Sequence, residues 1–191
     1  MDVDASPSNG KSKAFMIDFR SDSELSGVTR ASPIGTGVDS WGCFDNQLET
    51  PCTLAINVYG GTVLAKAAEN SGGAGLGFGY RAFAPHCLIT VLGGDVTAYG
   101  DIQRHPCQAI GWGGDCTRPW VDPQECDYLK LTIGKGMGLW TGIDKGTGED
   151  ADDSRLSAAA YDERISRMDD WRPYAHIKPA PSLSVEVSSP E

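Results

Sequence analysis

The chain has 191 residues, 40% of them hydrophobic, and a formal charge of −10 from 16 basic and 26 acidic side chains. That acidity, with no basic cluster, argues against binding to nucleic-acid backbones or anionic membrane surfaces, and no apolar run approaches the roughly 20 residues of a membrane-spanning helix. The length suits one domain with tails, and 24 glycines concentrated mid-chain favour strands and ordered loops over helical bundles.

Residues 1–13, "MDVDASPSNGKSK", are polar and lack the apolar core of a signal peptide, so they read as a disordered lead either on a cytosolic protein or on a mature form whose signal has been removed. "AFMIDF", 14–19, reads as a strand, and 20–41 as turn-rich chain. "TLAINVY", 53–59, alternates like a strand. In 63–70, Thr62 can cap while Val63, Ala67 and Asn70 share a helical face, so a short helix is predicted, closed by "SGG". The glycines of "GGAGLGFGYRAF" alternate but fit no dinucleotide fingerprint, which leaves close backbone approach in a strand or bulge.

"HCLITVL", 86–92, is the strongest strand pattern, and "GGDVTAYGD" supplies a turn and a shorter strand. "IGWGGDC" and "RPWVDPQEC" read as tryptophan-anchored loops, and "YLKLTI" as a late strand. "GKGMG" fails as a phosphate loop because Lys135 is followed by Gly136. The acidic run "GTGEDADDS" precedes 155–168, where Leu156, Ala160 and Met168 share one face of a predicted C-terminal amphipathic helix. The Pro/Ser-rich end reads as disordered, and no internal repeat is visible. The expected organisation is a lead at 1–13, one β-rich domain at 14–145, an acidic linker and helix at 146–178, and a tail at 179–191.

Six cysteines, Cys43, Cys52, Cys87, Cys107, Cys116 and Cys126, all lie in the presumed core. An even count reads first as a disulfide framework, which implies a secreted protein. Buried free thiols and a metal site are the alternatives, the latter without the tight C-x-x-C pair that zinc sites use. The fold class expected is therefore α+β: a small disulfide-stapled β-rich core with one or two short helices and a C-terminal helix.

Of His86, His105 and His176, none sits in a nucleophile setting, because no Gly-Asp-Ser-Gly segment follows "APHC". A longer series of motifs points elsewhere. Phe19-Arg20-Ser21-Asp22-Ser23 ends the first strand, Cys52-Thr53-Leu54 follows about thirty residues later, and then come "VLAKAAEN", "GFGYRAFAPHCLITV" and "QAIGWGG". In that order the chain resembles toxin-like ADP-ribosyltransferases of the cholera and pertussis type. The resemblance implies NAD as co-substrate, held by Arg20, Asp22, Thr53 and Tyr80. The arginine fork would grip ribose and phosphate. A carboxylate would stabilise an oxocarbenium-like transition state. Asp101, Gln103 and Glu125 stand nearest that position. The implied function is a secreted toxin or effector acting on NAD and on a host protein, with or without surviving catalysis. The alternative is a non-enzymatic secreted module that binds protein or glycan, with Trp41, Trp112 and Trp120 as a platform.

Overall fold

The computed structural model describes residues 2–4, 14–21, 23–26, 32–35, 53–80, 86–101, 107–114, 130–142, 155–156 and 172–180. The first circuit of the chain comprises β2 (Ala14–Phe19), β3 (Ser23–Ser26) and β4 (Ile34–Gly35). The second repeats it with β5 (Thr53–Val58), β6 (Thr62–Lys66) and β7 (Leu76–Gly77), and the third with β8 (His86–Val91), β9 (Asp95–Tyr99) and β10 (Ile110–Gly111). A fourth begins with β11 (Lys130–Ile133) and β12 (Met137–Gly142). The first strand of each circuit pairs in parallel with the first strand of the next, and seconds and thirds of the first three circuits pair likewise. The result is a parallel β-coil with three sheets: A (β2, β5, β8, β11), B (β3, β6, β9) and C (β4, β7, β10).

Two short strands and one longer one complete the sheets. β1 (Asp2–Asp4) pairs antiparallel with β2, so the lead contributes to sheet A. β13 (Arg155–Leu156) pairs antiparallel with β12. β14 (Tyr174–Pro179) is inserted in sheet B between β9 and β12, antiparallel to both.

Inward positions form apolar rows that run from coil to coil. Ile56, Ile89 and Leu131 make one row, and Val63, Val96, Ile177 and Leu139 make another; all are buried in a single core. In sheet C, Ile34, Leu76 and Ile110 stack in register, and the Phe78 and Trp112 rings lie 5.0 Å apart at 20°. Trp112 is thus a core residue and not part of an exposed platform; Trp41 and Trp120 lie outside the described residues.

The structure corrects the α+β expectation: the described residues form strands and no helix. Over 63–70 the operative period is two. Val63, Ala65 and Ala67 point into the core, because β6 must match Val96 and Ala98 of the next coil. At the start of the predicted C-terminal helix, Arg155 and Leu156 pair with Trp140 and Leu139 as a strand, and 157–168 lie outside the described residues. The disulfide-stapled core is corrected as well. Cys87 and Cys107 are buried thiols, and no disulfide occurs among the described residues; Cys43, Cys52, Cys116 and Cys126 lie outside them. Cys87 follows Leu54 in an inward row and behaves as a small hydrophobe.

A repeat is present after all. Ile34-Gly35-Thr36-Gly37, Leu76-Gly77-Phe78-Gly79 and Ile110-Gly111-Trp112-Gly113 share one pattern, an aliphatic residue and two glycines flanking a variable position. The first glycine of each has positive φ (146°, 127° and 124°). A Cβ on Gly35 would overlap the carbonyl of Gly77, and one on Gly77 would stand 2.5 Å from the Gly111 carbonyl. Both the backbone conformation and the coil spacing therefore demand glycine. Gly77→Ala is expected to cost about 3 kcal/mol or more, read as a shift of the denaturant midpoint at unchanged slope; a midpoint within error of wild type would contradict the close approach.

Candidate functional site

Outward side chains of sheet A form rows across the coils, as the inward ones do. Ala55, Leu88 and Lys130 make one row, and Asn57, Thr90 and Thr132 a second. At the A–B corner the next outward positions are Arg20, Tyr59 and Leu92, and Gly134 in the fourth coil. The register continues there, since the Leu92 amide donates to the Val58 carbonyl at 2.8 Å and the Gly134 amide to that of Val91 at 2.7 Å.

Tyr59, Leu88 and Leu92 are 42%, 37% and 51% exposed, and they are the exposed large hydrophobic residues among the described ones. All three fall on this one face and its corner. The Arg20 guanidinium lies over the Tyr59 ring, 4.4 Å from its centroid, an exposed cation–π contact worth about 0.5–1 kcal/mol. One face of that ring is therefore taken, which disfavours the stacking a sugar would need. Arg20, Lys130 and Thr132 are exposed around the apolar strip, and Asn57 and Thr90 are half-buried within it.

Of the residues predicted to handle NAD, the described ones are Arg20, Thr53, Tyr80 and Asp101, and they sit on different parts of the coil. Arg20 stands at the A–B corner, and Thr53 opens β5 where the chain enters sheet A. Tyr80 and Asp101 both lie against Gly72, in the segment between β6 and β7. The Asp101 carboxylate is fully buried and accepts the Gly72 amide at 2.9 Å, while the Asp101 amide donates to the Gly73 carbonyl at 3.1 Å. The Tyr80 ring lies so close to Gly72 that a Cβ there would be 2.7 Å from Cδ2. Asp101 thus works as a buried clasp between coils. Asp22, Gln103 and Glu125 lie outside the described residues.

A second polar cluster, which residue-by-residue reading passed over, marks the outer face of sheet B. His176 Nε2 lies 2.8 Å from Asp95 Oδ1, with His176 largely covered and Asp95 half open. The Lys178 ammonium sits 5.2 Å from the Trp140 ring centroid, and Tyr99 and Tyr174 pack with centroids 5.4 Å apart. Each contact joins β14 to a neighbouring strand, so the cluster reads as the fastening of an inserted strand. Only the C-terminal alternation Tyr174, His176, Lys178 against Ala175, Ile177 hints at it in sequence.

Among the described residues no helix is long and apolar enough to cross a membrane. No protein-family model, curated protein or solved structure matches the chain.

Two measurements check these assignments. Asp101→Ala leaves the Gly72 amide buried without its acceptor and is expected to lower stability by about 2–3 kcal/mol, read by denaturant unfolding; an unchanged midpoint would refute the clasp. Burial pushes the Cys87 thiol far above its ordinary pKa, so it should resist alkylation at neutral pH in the native state and react after unfolding. Mass mapping of native-state adducts on Cys87 would contradict that placement.

Proposed function

We propose that the protein is a non-enzymatic binding module that docks another protein surface on the outer face of sheet A. The observation that carries this reading is the concentration of Tyr59, Leu88 and Leu92, exposed and apolar, on the outer face of sheet A and its corner. Soluble proteins rarely gather such residues without a contact to make. Tyrosine and arginine, here stacked as Arg20 on Tyr59, are also residue types that dominate protein–protein contacts. A glycan platform is less well supported, because Trp112 is internal and the Tyr59 ring is partly covered. An NAD-processing site draws no support from the dispersal of Arg20, Thr53 and Asp101 over separate edges of the coil.

The test is selection of a random-peptide display library on the wild-type protein and on the double variant Leu88→Asp, Leu92→Asp. Both positions are exposed, so the variant should fold, as checked by circular dichroism. Sequences enriched on wild type and lost by at least about tenfold on the variant are the expected result. Absence of enrichment, or enrichment that ignores the variant, overturns the reading. NAD turnover by wild type that Arg20→Ala abolishes would overturn its non-enzymatic part.

A further inference from the structure

Two parallel lines of exposed side chains mark the outer face of sheet A. β8 supplies an apolar line, Leu88 and Leu92, four residues and so about 13 Å apart along the strand. β11 and the turn after it supply a basic line. Lys130 stands beside Leu88 in the register, and Lys135 follows Gly134, which stands beside Leu92. Tyr59 flanks Leu92 on the other side, with the Arg20 guanidinium on its ring. Among the described side chains of this face and its corner, every charged one is a cation: Arg20, Lys130 and Lys135, all exposed.

The chain as a whole carries −10, so a basic border on its exposed apolar strip runs against its composition. Screening decides how far the net charge reaches. At physiological ionic strength the Debye length is about 8 Å, between one and two strand spacings. A carboxylate laid on the strip therefore interacts first with these three cations, and acids beyond the neighbouring strands are attenuated.

We infer that the occupant of this strip is an acidic protein segment lying along β8. The inference rests on the reading that the outer face of sheet A docks another protein, and it names the chemistry of that partner. Two apolar side chains of the segment, about 13 Å apart, cover Leu88 and the Leu92–Tyr59 pair. Carboxylates on the flank facing β11 meet Lys130 and Lys135, and a further one meets Arg20. The apolar contacts supply most of the affinity; the charges set the direction in which the segment lies and exclude basic partners. Three cations on a chain of net charge −10 are too sparse a track for a nucleic-acid backbone, which is held by neutralising many phosphates.

The test is selection of a random-peptide display library at physiological ionic strength on three forms of the full chain. These are wild type, the charge-reversed Lys130→Glu, Lys135→Glu variant, and Leu88→Ser, Leu92→Ser, which removes the apolar line without adding charge. Wild type is expected to enrich apolar-containing peptides with an excess of Asp and Glu over Lys and Arg. Those peptides should bind the charge-reversed form at least about tenfold more weakly. That form should in turn select apolar peptides rich in Lys and Arg, a gain that a folding defect would not give. Neutral or basic peptides on wild type overturn the inference, as do acidic peptides that bind the charge-reversed form equally well. If such peptides still require Leu88 and Leu92, the binding-module reading stands and only the partner's charge fails. Acidic peptides indifferent to the serine variant overturn both readings. Sedimentation of wild type alone checks the choice of occupant: self-association that the serine variant abolishes would assign the strip to a second copy and overturn the inference.

Discussion

The fold depends on one constraint, the in-register stacking of successive coils. Parallel pairing places each residue about 4.8 Å from its counterpart in the next coil, so inward side chains lie on one another in rows instead of interdigitating freely. A row works only if its members agree in character and size. The Ile34, Leu76, Ile110 row and the row of small residues Ala65, Ala98 and Ala175 both meet that condition. The constraint is sharpest in sheet C, where Gly35 packs its backbone on Gly77 and Gly77 on Gly111, leaving no room for a Cβ on Gly35 or Gly77. The rest of the chain is free to vary in length between these fixed rungs, and it does.

The inserted strand β14 shows the same constraint working at the end of the coil. The turns Leu92-Gly93-Gly94 and Gly134-Lys135-Gly136 are equally long, so a fourth coil that followed the third would match Met137 with Asp95 and Trp140 with Ala98, which faces inward. Instead, β14 takes the place beside β9 and pairs Ile177 with both Val96 and Leu139. Leu139 therefore enters the core row, and Trp140 falls on the outer side, beneath Lys178. A shift of one residue in a strand exchanges its two faces, and here the C-terminal strand decides which face of β12 is the inner one.

Single strands were legible in the sequence because a strand with one face in a core must alternate, and β2, β5, β8 and β11 fall where alternation or β-branched runs predicted them. What joins them was not legible. Successive coils of sheet A take 39, 33 and 42 residues, as Ala14 pairs with Thr53, Thr53 with His86 and Leu88 with Lys130. A search for a fixed period passes over such a repeat, although its glycine pattern was in view. The stretch 63–70 was misread because Val63 and Ala67, four apart, satisfy helix and strand alike, and only the neighbouring coil chooses between them. Cys87 was misread because a thiol in an aliphatic row looks, in sequence, like half of a disulfide.

The same comparison explains the arginine motif. Arg20-Ser21 occupies the corner that Tyr59-Gly60, Leu92-Gly93 and Gly134-Lys135 occupy in later coils. A strand ending in a short turn is what every corner of the coil uses, so Arg20 has a place in the coil whatever else it does. At this corner the stacking constraint lapses, because the side chains point to solvent and any residue fits. Burial cannot account for Tyr59 and Leu92 there, and solubility would be better served by polar groups. Their exposure beside Leu88 is therefore a property of the surface and not a by-product of the core, and it places the functional question on the outside of sheet A.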